Sequence, residues 1–248
     1  MLLESSKGIL LALISLSINY IIGIILLGGF CKNRKGRSLY EAFFTFPNTI
    51  FLGLPVCVSV LGRQALPYVL IYNFASTILF WTISIYKIRK EANASDSHEN
   101  PIKKIISPPL LGFLIGIMLL LLNIKVPTFI LNTFNYIGNI TTPLSMFVIG
   151  IMLSDIDIIN HQFNLFHIII LIGKFILLPV ITITLLNHVD ISTMLRNTFI
   201  LESAMPSMSQ IAMVAKQYSL EESEASFVVG LSTLLSLIVI PLYVSILI

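Results

Sequence analysis

The chain has 248 residues, of which 56% are apolar and 11% charged, with 15 Lys and Arg against 12 Asp and Glu and a mean hydropathy of +0.94. A soluble domain carries roughly a quarter charged residues, so this composition excludes a soluble globular protein. The 13 Gly and 11 Pro are scattered through apolar sequence, which also excludes a fibrous or disordered chain.

What remains is an all-α polytopic membrane protein. About 20 apolar residues cross a hydrocarbon core of roughly 30 Å, and only helices or closed barrels satisfy their own backbone there. The first apolar run lasts to Cys31, too long for the core of a signal peptide, so the first span is expected to stay in the protein. Charge-free stretches predict spans at 8–31, 42–62, 64–86, 105–124, 126–154 and 225–248. Two more, 162–187 and 197–215, are interrupted only by Lys174 and Glu202. The eight spans divide into an N-terminal unit of three (residues 1–88) and a C-terminal unit of five (105–248). A polar linker at 89–104, part of the stretch KIRKEANASDSHENPIKK, joins them.

Lys32, Arg34, Lys35, Arg37, Lys87, Arg89, Lys90, Lys103 and Lys104 follow spans one and three on one side of the membrane. The positive-inside rule makes that side cytoplasmic and puts both termini outside a cell membrane. Basic residues beside apolar spans set orientation and imply no nucleic-acid partner. Cys31 and Cys57 read as free thiols, and no His, Cys, Asp or Glu cluster has metal-ligand spacing, so neither a metal nor a cofactor is expected.

An offset of 156 residues lays Ser76, Thr77 and Leu79 on Ser232, Thr233 and Leu235. The same offset lays spans one, two and three on spans six, seven and eight. With two spans between the units, the second begins from the opposite side of the membrane, which predicts an inverted repeat. Spans two and seven, equivalent in the two units, each carry a proline among polar residues at mid-depth: NTIFLGLP (Asn48–Pro55) and ESAMPSMSQ (Glu202–Gln210). Pro55 cannot serve the Phe51 carbonyl, nor Pro206 the Glu202 carbonyl, so two broken helices are expected, with Asn48, Thr49, Ser207 and Gln210 available to serve the freed groups. Half-helix N-termini at the midplane suit an anion, most naturally a carboxylate.

Four motifs carry a resemblance. NTIFLGLPVCVSVLG (Asn48–Gly62), PLSMFVIGIML (Pro143–Leu153), KFILLP (Lys174–Pro179) and AMPSMSQIAMVAKQY (Ala204–Tyr218) resemble, in order, the auxin efflux carrier family, which includes plant auxin carriers and bacterial permeases for malate or malonate. The resemblance implies ten helices in two inverted five-helix repeats, with the fourth and ninth crossing at the substrate site. Asn48, Gly53 and Pro55 fall on the crossover motif of the fourth helix, and Pro206 falls on the Met-Pro-Ser element of the ninth. The first span here matches the family's third helix, so the pattern's first two helices are missing from these 248 residues. By resemblance the unit moves as an elevator against a scaffold made here of spans four and five, which a homo-oligomer or partner would complete. Span four begins Ser107-Pro108-Pro109 where the family often has Asn-Pro.

The candidate substrate-binding residues are therefore Asn48, Thr49, Gly53, Pro55, Pro206, Ser207 and Gln210. Lys174, 12 residues into its span, lies too deep for easy snorkelling and is expected to pair with Glu202, as a structural ion pair or a relay for a coupling ion, H⁺ or Na⁺. Asn135, Asn139, Thr141 and Thr142 read first as interhelical hydrogen-bonding groups, and Gly112 with Gly116 as a packing GxxxG. His98, His161, His167 and His188 carry no evident chemistry. There is no HExxH, GxSxG or acidic DDxxD run, so no catalytic residue and no enzyme is expected. The expectation is a secondary transporter of a small organic anion working by alternating access. Its rivals are a non-transporting or partner-dependent relic of the same family and a sodium/organic-acid symporter of another.

Overall fold

The computed structural model describes residues 2–30, 36–92, 124–140 and 163–247, with single positions besides between 111 and 154. Among them every regular element is a helix or helical turn. α1 (Leu2–Phe30) is followed by α2 (Arg37–Thr45), a π turn (Thr49–Gly53) that runs into α3 (Leu54–Leu61), and a 3-10 turn (Arg63–Ala65). Next come α4 (Leu66–Leu79), a π turn (Phe80–Ser84), α5 (Ile85–Glu91) and α6 (Thr128–Asn139). Then α7 (Leu165–Ile172), a π turn (Gly173–Leu177) and α8 (Leu178–Leu186) form one rod, followed by α9 (Thr193–Ser203), α10 (Gln210–Gln217) and α11 (Glu222–Leu247).

Four of these rods are long and apolar enough to cross a membrane: Ser6–Gly29, Arg63–Glu91, Leu165–Leu186 and Glu222–Leu247. They fall on the expected spans 8–31, 64–86, 162–187 and 225–248. The expected spans 42–62 and 197–215 are interrupted helices, α2 with α3 and α9 with α10. Spans 105–124 and 126–154 lie only partly within the described residues, and most of the linker, Ser107-Pro108-Pro109, Cys31, His98, His161, Thr141 and Thr142 lie outside them.

The first halves of the two interrupted helices are the most buried elements. Eight residues of α2, Ser38 to Thr45, are buried, as are Thr198 to Ser203 of α9. The long rods surround them: α1 packs on α2, α4 and α8, and α9 packs on α4, α8 and α11. The rods turn Ile21, Ile25, Ile176 and Leu237 outward, apolar side chains suited to lipid. Close approach is set by glycine at one point. The Phe44 ring of α2 sits between α1 and the π turn after α7, where a Cβ on Gly23 or Gly173 would lie 2.8 or 2.1 Å from it.

Charge fixes one end of the bundle. Glu41, 1% exposed on α2, accepts from Arg37 Nε at 3.0 Å and pairs with Lys87 of α5, while Glu91 accepts from the Arg37 and Ser38 amides at 2.9 Å each. His167 caps the start of α7 in a capping box with Asn164, and its Nε2 lies 2.9 Å from Glu224 of α11. Element boundaries also recur. The starts of α2 and α9 (Arg37, Thr193) and of α4 and α11 (Leu66, Glu222) are each 156 residues apart, as are the ends of α3 and α10 (Leu61, Gln217) and of α5 and α11 (Glu91, Leu247).

Inside a bilayer a proline's missing donor has to be replaced from within the protein. Pro179, at the start of α8, has no N–H for the Phe175 carbonyl four residues earlier. The Tyr243 hydroxyl of α11 donates to that carbonyl at 2.7 Å instead, tying α11 to the π turn. Tyr243→Phe strands the carbonyl and should cost about 1–3 kcal/mol, read as a lower Tm of the detergent-solubilised protein. Adding Pro179→Ala, which restores a backbone donor, should recover most of that loss, whereas an unchanged Tm in the single variant removes the role given to Tyr243.

Candidate functional site

The residue before a proline is pushed into extended backbone. Phe46, before Pro47, has φ −86 and ψ 118 and ends α2 there. The second helix ends at Ser203, three residues before Pro206, with Ala204 at φ −85 and ψ 2. The two unwound segments lie against each other. Pro47 and Ser207 form an isolated antiparallel bridge, with Asn48 N donating to the Pro206 carbonyl at 2.8 Å and Met208 N donating to the Phe46 carbonyl at 2.9 Å. Each break thus supplies backbone partners that the other has lost.

Side chains complete the pairing. Pro47 leaves the Phe43 carbonyl without its helical donor, and Ser207 Oγ donates to it at 3.0 Å. Asn19 Nδ2 of α1 donates to the Phe44 carbonyl at 3.1 Å, and Ser232 Oγ of α11 accepts from Ser207 N at 3.2 Å. Asn48 uses both ends of its amide: Oδ1 accepts from Phe51 N at 3.2 Å as an N-cap, and Nδ2 donates to Ser209 Oγ at 2.8 Å. Thr49 Oγ1 donates to Asn73 Oδ1 of α4 at 2.7 Å. Asn48, Thr49, Ser207 and Ser209 are buried, while Asn73 and Gln210 are partly exposed. A small cavity of about 110 Å³ beside the break is lined by Ser17, Tyr20, Ile21, Phe46, Leu79 and Ile83.

The structure therefore gathers Asn48, Thr49, Pro206, Ser207 and Gln210 around one point. Gly53 and Pro55 lie further along. The interruption falls at Pro47 rather than at Pro55, which sits in the first turn of α3, where a missing N–H is tolerated. The π turn before it absorbs the register, with Gly53 N bonding to the Asn48 carbonyl at 3.0 Å and Leu54 N to that of Thr49. Pro47, Asn19, Asn73, Ser209 and Ser232 complete the junction without having been singled out for it in the sequence. Pro47 could have been found from the Phe-Pro-Asn step beside Asn48, and Ser232 is one of the residues matched by the repeat.

A second buried group stands behind the junction. Glu202, near the end of α9, is fully buried, and its Oε1 lies 3.4 Å from Cys57 Sγ of α3 as the acceptor. The carboxylate rests on Gly53, where a Cβ would come within 2.5 Å of it. Its other oxygen, Oε2, has no hydrogen-bond partner among the described residues, and neither has the Nζ of fully buried Lys174. No ion pair joins Lys174 to Glu202. The α6 residues Asn135 and Asn139 are exposed, and among the described residues nothing lies within 4 Å of a Cβ built on Gly112 or Gly116.

The comparisons with known proteins agree on one class. The membrane transport protein family matches residues 1–244. An uncharacterized transporter of Methanocaldococcus jannaschii is 29% identical over 201 residues, covering 79% of this chain and 64% of that protein. An uncharacterized transporter of Methanothermobacter thermautotrophicus is 25% identical over 198 residues, covering 79% of this chain and 63% of that protein. The chain thus spans just under two thirds of the length of these curated relatives. With a match over nearly all of its residues, the chain belongs to the membrane transport protein family, the auxin efflux carrier-like family that its four motifs resemble.

Proposed function

We propose that this membrane transporter is a secondary carrier of a small organic anion and that the junction of the two interrupted helices is its substrate site. The carrying observation is the pairing of the breaks at Pro47 and Ser207, from which two half-helices start, one at Thr49 and one at Gln210. Helix N-termini present free N–H groups and partial positive charge, and two converging on one place suit a carboxylate. Asn73 and Gln210 are the partly exposed polar side chains there, and Thr49 holds Asn73 in place. Auxin-like and malate- or malonate-like carboxylates are the substrate classes that the family resemblance brings forward.

The 156-residue recurrence of element boundaries supports two repeated units. With the two spans expected between them, those units would be inverted, and alternating access would come from one moving against the other. The charge asymmetry supports a cell-membrane orientation with both termini outside. A coupling role for Lys174, with H⁺ or Na⁺ as the ion, rests on its burial without a hydrogen-bond partner among the described residues. One observation favours the rival reading of a partner-dependent subunit. α6 has no buried residue, and its Phe129, Phe134 and Tyr136 are exposed, a surface that a second copy would cover.

The test is uptake of radiolabelled malate, malonate and indole-acetate into proteoliposomes, with and without imposed proton and sodium gradients. Saturable uptake of one of them is expected, and its absence for all three removes the reading as stated. Thr49→Val and Gln210→Ala should weaken uptake several-fold at unchanged Tm. Asn48→Ala should lower both uptake and Tm, since its amide also holds the junction. Equal uptake in all three variants places the substrate elsewhere. Lys174→Met should abolish gradient-driven uptake, and full activity in that variant ends the coupling role.

A further inference from the structure

Glu202 is a buried carboxylate that links the two interrupted helices: it belongs to α9 and rests on residues of the other helix. Gly53 closes the π turn and leaves room for the carboxylate where any Cβ would collide with it at 2.5 Å. Cys57, one turn into α3, offers its thiol to Oε1 at 3.4 Å. Tyr72 of α4 is fully buried, packs its ring edge-on to Phe199 of α9 at 5.1 Å between centroids and lies within electrostatic reach of Glu202. The Tyr72 hydroxyl approaches Thr182 of α8 and Ser15 of α1 without making a well-formed hydrogen bond. Glu202 Oε2, Tyr72 OH and Thr182 Oγ1 are thus buried polar atoms with unused bonding capacity.

Among the described residues no positive charge pairs with the carboxylate. α3 brings Cys57 and α4 brings Tyr72, while α8 and the π turn at Thr49–Gly53 bring no titratable side chain. Arg63 of the 3-10 turn is exposed, and the Tyr243 hydroxyl of α11 is committed to the Phe175 carbonyl. Lys174 forms no ion pair with it. An isolated ionised carboxylate is among the costliest groups to hold in an apolar interior, so such a group takes up a counter-ion or a proton. A cation needs several oxygen ligands. The groups placed against Glu202 are a thiol and a glycine with no side chain, which fit a neutral carboxylic acid better than a metal ion.

We propose that Glu202 is a proton-carrying group of the transporter, seated on Gly53 and Cys57 and exchanging its proton with water as the two interrupted helices shift relative to each other. The proposal rests on the transport reading above for its purpose, and it assigns the proton to Glu202 rather than to a Lys174–Glu202 pair. The seat joins the helices a turn behind their junction, so a movement that parts Glu202 from Gly53 and Cys57 admits water to the carboxyl, and its closure expels it. The balance is simple. One proton enters the carboxylate from water on one side and leaves the acid to water on the other, with no bond to carbon or sulfur made or broken.

Infrared spectroscopy of the full chain in detergent at neutral pH, in H₂O and in D₂O, tests this. The expected result is a carboxylic-acid C=O band in the wild type that moves to lower wavenumber in D₂O and is missing from Glu202→Gln. Cys57→Ala keeps the carboxyl and removes the thiol donor, so there the band should move to higher wavenumber. That shift decides the matter if Glu202→Gln does not fold. A spectrum without such a band overturns the proposal, as does a band that ignores D₂O, a band unmoved in Cys57→Ala, or a carboxylate band that responds to Na⁺ instead. The measurement needs no substrate. If the band behaves as expected while no anion is taken up, the substrate assignment fails and the proton site stands. Uptake without the band leaves a carrier whose coupling lies elsewhere.

Discussion

Inside a bilayer a backbone amide or carbonyl has no water to fall back on, and a proline in a membrane helix creates an unserved carbonyl at once. The arrangement around Pro47 and Pro206 follows from that constraint. Two helices, each broken by a proline, are brought together so that one break serves the other through Asn48 N to the Pro206 carbonyl and Met208 N to the Phe46 carbonyl. Where the backbone cannot reach, a short side chain does. Ser207 serves the Phe43 carbonyl and Asn19 that of Phe44. Away from the junction, Tyr243 does the same for Phe175, opposite Pro179. Buried polar side chains thus take up carbonyls that the proline breaks have left unserved.

This gives Asn48 and Ser207 two roles that cannot be separated by inspection of the sequence. In the conformation described, their hydrogen-bonding groups are spent on the junction, with Asn48 engaged at both amide ends. A ligand at the proposed site would be met instead by helix N-termini and by side chains at the rim, Asn73 and Gln210. The substrate groups named from the sequence thus divide into those that build the proposed site and those that face it. That division appears only when the partners of each atom are known.

Much of the fold was legible because lipid makes sequence speak plainly. Charges ended the spans at 8–31, 64–86, 162–187 and 225–248 within a few residues of the helices found, since a charged side chain is the costliest group to leave in hydrocarbon. The interrupted helices were legible as places but not in detail. Pro55 drew attention as the obvious breaker, yet a π turn absorbed it and Pro47 made the break, because the outcome depends on which proline faces an available partner. Glu202 and Lys174 were legible as anomalies of depth. The surroundings of Glu202 were not: Cys57 read as a free thiol and Gly53 as a substrate-site residue of the crossover motif, and only the folded chain sets both against Glu202.

The same contacts constrain how the two interrupted helices can move. The junction is held by two backbone hydrogen bonds, the Ser207 and Asn48 side chains and the Glu202 seat, all close to one point, so the helices can pivot about it at far less cost than they can separate. The first halves, α2 and the later part of α9, are enclosed by the long rods, and Phe44 is wedged between Gly23 and Gly173. The second halves are less enclosed: α3 buries Pro55 and Cys57, and α10 buries Ile211, Val214 and Ala215. A local pivot would therefore move α3 and α10 against fixed first halves, whereas a rigid displacement would carry all four half-helices together and leave the Glu202 seat intact. Opening of that seat to water, as proposed for proton exchange, would accordingly require the local motion, whatever larger displacement accompanied it.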